Sequence, residues 1–253
     1  MFNIARIFFH EAVRDRILNL IWLFALVMLG LSLWLGDLSA GNELKVVKDL
    51  ALGIINLLLI MVAMMTGSNA IYQEIERRTA YVVLAKPVAR WQFLLGKFTG
   101  LVGVLALLAT AMGLAYYFLI WFATGKPVEA SHSLAIVFMF GEATLLAAIA
   151  LLFSSITSPL LSMIYVLGLY VVGHNTELIL RFGEKDGTAI ITRYLGQFIY
   201  RTLPNLEVLN LKNQVVYGHS INWSEGIWVS SYAVIYVAIF LMLAVLAFSK
   251  REI

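Results

Sequence analysis

The sequence predicts an all-α polytopic membrane protein that crosses the bilayer six times. Hydrophobic residues make up 61% of the 253 residues and charged residues only 13%, whereas soluble domains carry about 25% charged residues. Apolar runs recur along the chain, and about 20 such residues form a helix that crosses the hydrocarbon core. We predict spans at residues 17–36, 50–72, 98–122, 133–157, 158–173 and 226–249. Since no segment between them is large enough to fold alone, residues 1–253 form one transmembrane domain.

The N-terminal residues 1–16 precede the first span and have the pattern of an amphipathic helix. Phe2, Phe9 and Val13 recur at helical spacing, and Arg6 lies between them. We expect this helix to lie in the cytoplasmic interface of the membrane. A plain extension of the first span is the alternative. The first apolar run is too long for the core of a cleavable signal peptide.

The basic residues are distributed unevenly between the two sides of the predicted bundle. Lys and Arg concentrate in the cytoplasmic flanks and short loops of membrane proteins. On one side the short loops hold only Lys45, Lys48 and Lys126. We therefore expect an inner-membrane protein whose two termini are both cytoplasmic. The other side, which holds both termini and is predicted to be cytoplasmic, has many more basic residues. They are Arg6, Arg14, Arg16, Arg77, Arg78, Lys86, Arg90, Lys97, Lys250 and Arg251.

Residues 174–225 form the longest segment between spans and are predicted to be external. Apolar runs with scattered charges indicate two short amphipathic helices, near 175–183 and 188–202, after which Pro204 breaks the chain. One interpretation is a partial re-entry into the outer leaflet, where protein or a water-filled cavity must cover irregular backbone. The alternative is a folded cap that lies flat on the membrane.

Several kinds of chemistry are excluded or disfavoured by the sequence. The chain has no cysteine, so disulfides and thiolate metal sites are excluded. Gly96-Lys97 is followed by Phe98 rather than by Ser or Thr, so the chain lacks a phosphate-binding loop. We predict no metal site, because the histidines are far apart and are expected to be ordinary surface or interfacial residues. They are His10, His132, His174 and His219.

Glu142 is the one ionisable residue well inside a predicted span. Such residues are expensive in lipid and usually face the interior of the bundle or an aqueous path. The carboxyl is therefore a candidate polar site within the membrane. A contact with substrate, a proton-linked step and a structural hydrogen bond to another helix are all open readings.

Two further patterns in the spans indicate helix packing. Met61, Met64 and Met65 lie on one face of the second span, which is more typical of adaptable packing than of a thioether site for Cu(I). Gly96 and Gly100 have the spacing that allows two helices to approach closely.

Residues 73–91 form a charged hinge between the second and third spans. A cluster of charged side chains is followed by the short apolar run 80–85, and the Lys86-Pro87 pair then stops the helix, since the residue before proline disfavours the helical region. This pattern predicts a compact cytoplasmic knob with an apolar tip and charged flanks, suited to docking into a groove of a soluble protein. The alternative is a turn that is anchored by its positive charge alone.

The run EIERRTAYVVLAKPVARWQFLLGK, residues 74–97, resembles the signature of ABC-2 type permeases, the membrane subunits of ABC exporters. Within that family it is most similar to the permeases of nitrous-oxide-reductase maturation. The run LPNLEVLNLKNQVVYG, residues 203–218, resembles the family's external segment before the last span, and the six-span plan also agrees. The residues that match the central signature are Glu74, Glu76, Arg78, Thr79, Leu84, Lys86, Pro87, Arg90, Gly96 and Lys97.

This resemblance implies a mechanism for an export permease that is not itself an enzyme. Two copies of the chain would pair within the membrane lipids, and two ABC ATPase subunits would bind underneath, with ATP and Mg on the ATPase and no cofactor on this chain. Periplasmic or membrane accessory proteins would be further partners, and nucleic acid would not. The residues implied in ATPase docking, on the coupling helix, are Glu74, Glu76, Arg77, Arg78, Thr79, Leu84, Lys86, Pro87 and Arg90. The residues implied in an external gate are Leu203, Pro204, Asn205 and Glu207.

Two other functions remain as alternatives. The same fold serves as a membrane scaffold for the maturation of envelope proteins in some relatives of the family. An ion-coupled secondary transporter would use Glu142 as its proton site, but such proteins usually contain inverted repeats and several membrane carboxylates. The sequence does not reveal the substrate.

Overall fold

The structure is a computed structural model that describes most of the chain, in ranges separated by short gaps. Within these ranges 92% of the residues are helical and no strand is present, which confirms the predicted all-α class. The described residues are 2–12, 23–24, 26–27, 30, 43–72, 89–125, 129, 131–185, 190–212, 214 and 223–250.

Eight α-helices and one 3-10 helix are defined in the described part of the chain. The 3-10 helix is Leu206–Leu209 and lies between the last two α-helices. The α-helices are α1 (Phe2–Ala12), α2 (Glu43–Asn69), α3 (Arg90–Thr124), α4 (Ser131–Ile156), α5 (Pro159–His174), α6 (Thr176–Gly183), α7 (Ile190–Thr202) and α8 (Trp223–Lys250).

Four of these helices, α2, α3, α4 and α8, are long and apolar enough to cross a membrane. Helices α5 and α6 together make a fifth candidate span, bent by 64° at Asn175. The predicted first span, residues 17–36, lies largely outside the described residues, so six spans and the orientation of the termini stay predictions. Helix α3 begins at Arg90 rather than at residue 98, because a helix continues into polar flanks that hydropathy does not mark.

Helix α4 lies at the centre of the described bundle. It packs against α2, α3, α5, α8 and the 3-10 helix, and its residues 145–151 are all buried. Small side chains make this close packing feasible. A Cβ atom added to Gly67 of α2 would lie 2.7 Å from Cβ of Ala150 on α4.

Replacing Gly67 with alanine is expected to lower the stability of the bundle by about 1–3 kcal/mol, the usual cost of overpacking. The contacting atom, the Ala150 Cβ, is attached directly to the backbone and cannot rotate away. The measurement is the thermal unfolding midpoint of the purified chain in detergent. Gly168→Ala on α5 is the matched control, because nothing lies within 4 Å of its added Cβ. Equal midpoints for the two variants would contradict this packing.

Helix α1 packs against the beginning of α3. A Cβ added to Gly100 would lie 2.8 Å from the Ala5 carbonyl oxygen, so this glycine permits a close crossing of the two helices. The buried Lys97 Nζ lies 4.6 Å from the ring centroid of Phe8 on α1, a favourable cation–π geometry. Gly100 therefore serves the close helix approach that its spacing from Gly96 predicted, and its partner is α1.

Helices α6 and α7 confirm the two amphipathic helices predicted near 175–183 and 188–202. They pack against each other, with Gly196 of α7 close enough to α6 that an added Cβ would lie 3.2 Å from the Ile179 carbonyl oxygen. Apolar side chains such as Ile191 and Phe198 remain exposed on α7. Re-entry into the bilayer and a flat cap both stay predictions.

Candidate functional site

A buried polar cluster surrounds Glu142, eleven residues after the first residue of α4. The Glu142 side chain is fully buried. Its Oε2 atom accepts a hydrogen bond of 3.4 Å from Asn56 Nδ2 on α2, and its Oε1 atom lies 3.4 Å from His174 Nε2 at the end of α5. Glu207 of the 3-10 helix approaches the same histidine. These four residues are called the Glu142 cluster below.

The orientation of His174 follows from its second ring nitrogen. His174 Nδ1 lies 3.2 Å from the Tyr170 carbonyl oxygen, and a carbonyl oxygen can only accept, so Nδ1 carries a hydrogen. Nε2 therefore faces Glu142 Oε1 at 3.4 Å and Glu207 Oε2 at 3.8 Å. The contact with both carboxylates is attractive when the imidazole also carries its second proton.

The Glu142 cluster contains more buried acceptor atoms than donors. Glu142 Oε1 and Asn56 Oδ1 are buried without a hydrogen-bond partner among the described residues. A buried acceptor that lacks a partner is costly, and such groups in native proteins call for an explanation. The arrangement is suited to receive one proton or one polar donor group at this point in the membrane domain.

The Glu142 cluster also joins the bundle to residues 203–212, which are called the docked segment below. The Leu206 side chain fills a notch at Gly173, where an added Cβ would lie 2.8 Å from Leu206 Cγ. The Asn205 backbone N–H donates to the Tyr232 hydroxyl of α8 at 2.6 Å. Of the predicted gate residues, Pro204 is buried, whereas more than half of the Glu207 side chain is accessible.

One hydrogen bond and one ion pair further hold the docked segment. The Asn205 side chain accepts a hydrogen bond from the Glu207 backbone N–H at 3.1 Å, which caps the 3-10 helix. Lys212 Nζ lies 3.6 Å from Asp49 Oδ1 on α2. Leu203 is half-buried at the beginning of the segment. The four predicted gate residues are therefore brought to the same end of the bundle as the Glu142 cluster.

An apolar groove lies between α2 and α5, beside the Glu142 cluster. Its volume is about 270 Å³, and Tyr170, the residue whose carbonyl orients His174, is one of its walls. The three methionines of the predicted stripe all contribute to it, together with Met163 of α5. Whether they serve adaptable packing or Cu(I) binding stays a prediction. The full lining is Leu57, Ile60, Met61, Met64, Met65, Met163, Leu167 and Tyr170.

Comparison with known protein families decides the class of membrane protein. The model of a family described as "ABC-2 family transporter protein" matches residues 2–174. The chain belongs to this ABC-2 transporter family. The match begins in α1 and ends at His174, so it includes Glu142 and Asn56 but neither the docked segment nor α8. No curated protein matches the chain significantly.

Membership of the ABC-2 family has direct consequences for the kind of function. The chain is a multi-pass membrane subunit of the permease kind rather than an enzyme, and such subunits pair with an ABC ATPase on a separate chain. Within the part of this ABC-2 chain that the structure describes, no group of three or more His, Cys, Asp or Glu side chains could hold a metal ion.

Most of the predicted docking residues of this ABC-2 protein lie outside the described residues. Arg90 is described, and its Nη1 atom donates to the carbonyl oxygens of Phe248 at 3.3 Å and Ser249 at 2.8 Å. The last carbonyls of an α-helix have no partner within the helix, so Arg90 joins the beginning of α3 to the end of α8. The docking residues that fall outside are Glu74, Glu76, Arg77, Arg78, Thr79, Leu84, Lys86 and Pro87.

Replacing Arg90 with alanine is expected to loosen the end of α8. Hydrogen bonds to charged groups contribute about 1.5–3 kcal/mol, so amide hydrogen exchange in residues 246–250 is expected to accelerate roughly tenfold or more. Exchange followed by mass spectrometry measures this effect. Arg193→Ala removes an exposed arginine from α7 and serves as the control. Unchanged exchange in the Arg90 variant would show that the joint contributes nothing to the end of α8.

One expectation about the histidines is wrong. His132 was expected at the surface or in the interface, but it is buried, and its Nδ1 atom lies 3.0 Å from the hydroxyl of the buried Tyr116 on α3. The reason is that α3 and α4 are antiparallel neighbours joined by a short loop, so the first turn of α4 faces the last turns of α3 rather than solvent.

The sequence reasoning also missed two partners of Glu142. Asn56 was the one strongly polar side chain in the middle of the run 50–72, and that exception could have drawn attention to it. His174 directly follows the predicted fifth span, which ends at 173, and was therefore assigned to the external segment 174–225. A histidine at the end of a short apolar run can face either water or the bundle, and only the packing of α5 against α4 decides this.

Proposed function

We propose that this chain is the membrane-spanning permease subunit of an ATP-driven ABC-2 exporter. It would couple ATP hydrolysis on a separate ATPase chain to the movement of an unidentified substrate out of the cytoplasm. The observation that carries the proposal is the family match over residues 2–174. The packed bundle of apolar helices, with four or five candidate spans in its described part, supports it.

The proposed assembly contains two copies of the chain and two ATPase subunits, which bind ATP and Mg. The chain would cross the inner membrane six times with both termini in the cytoplasm, and residues 73–91 would dock the ATPase. Exposed apolar side chains on α8, such as Trp228, Ile235 and Leu246, support contact with lipid on that face. We also propose that the chain is most similar in role to the permeases of nitrous-oxide-reductase maturation, and that accessory proteins in the envelope bind to it.

The proposed gate consists of helices α6 and α7 and the docked segment. Its support is geometric. The docked segment is held by Tyr232 of α8 and by the side chain of His174, and His174 in turn contacts Glu142 on α4, the helix that packs against most of the others. A helix movement that separates these residues would release the segment. Glu142 would thus link the helices that rock during the cycle to the external opening.

A second candidate function is an ion-coupled transporter. The specific observation in its favour is the buried contact between Glu142 and His174, which is suited to hold a proton. Such a transporter would need no ATPase partner. The two candidates therefore differ in one measurable property, which is the presence of a soluble ATPase in the native complex.

The test is purification of the tagged chain from native membranes in mild detergent, followed by mass spectrometry and an ATPase assay. A stoichiometric ABC ATPase with vanadate-sensitive hydrolysis is the expected result. A tagged chain of an unrelated multi-pass protein from the same membranes is the control for non-specific capture. If the intact chain purifies without any ATPase, the exporter proposal is refuted and the ion-coupled transporter gains support.

A further inference from the structure

Three buried serine hydroxyls connect α2, α4 and α5 at the end of the bundle away from the Glu142 cluster. Ser68, Ser154 and Ser162 are all fully buried, and they are called the serine joint below. Ser162 Oγ of α5 donates to Ser68 Oγ of α2 at 2.9 Å and approaches the Ala150 carbonyl oxygen of α4 at 3.3 Å. The joint therefore holds three helices of the bundle together through polar contacts.

Ser154 has a separate role at the point where the chain leaves α2. Its Oγ atom accepts hydrogen bonds from the backbone N–H of Ile71 at 3.2 Å and of Tyr72 at 3.4 Å. Backbone donors that are removed from water require an acceptor, and here the side chain of a different helix supplies it. Residue 73, directly after Tyr72, is the first residue of the segment that is proposed to dock the ATPase.

The contact between α2 and α4 leaves little room for sliding near Ser154. An added Cβ at Gly67 would lie 2.7 Å from the Ala150 Cβ and 3.4 Å from the Ala147 carbonyl oxygen, so the two backbones lie unusually close together. Close-packed elements move as a unit or change to a second discrete arrangement, and they do not deform continuously. A displacement at the end of α2 is therefore passed to α4.

We propose that Ser154 is a positioning residue that transmits movement of the ATPase-docking segment to α4, and through α4 to the Glu142 cluster. This inference rests on the proposed function. Glu142 and Ser154 lie on the same helix, and their separation of 12 residues corresponds to about 18 Å along its axis. One rigid helix thus connects the end of α2 at one side of the bundle to His174 and the docked segment at the other.

The experiment uses the complete complex of the chain with its co-purified ATPase. Because the chain has no cysteine, a single Leu209→Cys substitution makes the buried side of the docked segment a unique maleimide target. In this parent, ATP with vanadate is expected to change the labelling rate at least fivefold. Adding Ser154→Ala is expected to reduce that response to less than twofold, while co-purification of the ATPase and its basal hydrolysis rate are retained.

Thr157→Val is the matched control for Ser154→Ala. It removes a hydroxyl three residues after Ser154, but the Thr157 hydroxyl donates to the Phe153 carbonyl oxygen at the end of α4 at 3.0 Å and contacts no other helix through that bond. The response of this variant is expected to equal that of the parent. Ser154→Thr keeps the acceptor oxygen and should keep the response. If Ser154→Ala does not purify as an intact complex, the Ser154→Thr variant tests the role of the acceptor oxygen instead.

The possible results separate the two proposals. A normal nucleotide response in an intact Ser154→Ala complex, or its loss in an intact Ser154→Thr complex, overturns the role of Ser154 and leaves the exporter proposal standing. Absence of any nucleotide response in the parent, or of an ATPase in the preparation, refutes the proposed function and this inference with it. A response lost only in Ser154→Ala supports both.

Discussion

Replacing Glu142 with glutamine is expected to release the docked segment from the helix bundle without loss of expression. Glutamine keeps the volume of the side chain and a hydrogen bond with Asn56, but it removes the negative charge that faces His174 Nε2. The attraction between a carboxylate and a protonated imidazole nitrogen 3.4 Å away is worth about 1.4 kcal/mol or more where water is excluded, which corresponds to roughly a tenfold change in the population of the released state. The measurement is the maleimide labelling rate of Leu209→Cys, which is nearly fully buried in the docked state.

Two other substitutions show whether this effect comes from the Glu142 cluster. Glu207→Gln removes the second carboxylate beside His174 and is expected to raise the labelling rate in the same direction. Glu177→Gln changes an exposed carboxylate that pairs with Arg181 at 3.7 Å on α6, and such exposed pairs contribute little. Its rate should equal that of the parent. Poor expression of Glu142→Gln would favour a purely structural role, and an unchanged labelling rate would show that Glu142 does not hold the docked segment.

The sequence patterns predicted the helices well because the formation of a helix depends mainly on residues that are close together in the sequence. Long apolar runs predicted α2, α3, α4 and α8, and apolar runs with scattered charges predicted α6 and α7 within two residues of their observed ends. Glu142 could also be identified from the sequence, because a carboxylate within an apolar run is unusual even when its contacts are unknown. The family resemblance came from the charged hinge, and a family match over residues 2–174 confirms the family.

The partners of these residues could not be predicted in the same way. Asn56 and Glu142 are separated by 86 residues, and Ile71 and Ser154 by 83, so their contacts depend on how α2, α4 and α5 pack. Hydropathy gives no register between packed helices. Serine is especially uninformative, because its hydroxyl can bond a carbonyl of its own helix, as Ser231 does with Ile227. The difference for Ser154 is that the backbone N–H groups of Ile71 and Tyr72 lie within hydrogen-bonding distance of its hydroxyl.

Exchanging the charges of Glu76 and Arg78 is expected to remove the ATPase from the purified complex. The double variant Glu76→Arg with Arg78→Glu keeps the net charge of the chain but reverses the pattern on the proposed docking surface. Juxtaposed like charges cost several kcal/mol at an interface, so the amount of co-purified ATPase should fall at least tenfold. Both residues lie outside the described part of the structure, so this test addresses the docking assignment independently of the helix packing.

The matched control is the same exchange at an exposed pair on a different surface. Glu177→Arg with Arg181→Glu on α6 also keeps the net charge, and both side chains are largely exposed. This variant should retain the full amount of ATPase, because α6 belongs to the segment predicted on the opposite side of the membrane. The thermal unfolding midpoints of both variants should match the parent, which separates lost docking from lost folding. If the exchange at residues 76 and 78 leaves an intact, active complex, docking depends on other residues, and the alternative of a turn anchored by positive charge becomes the better reading of the hinge.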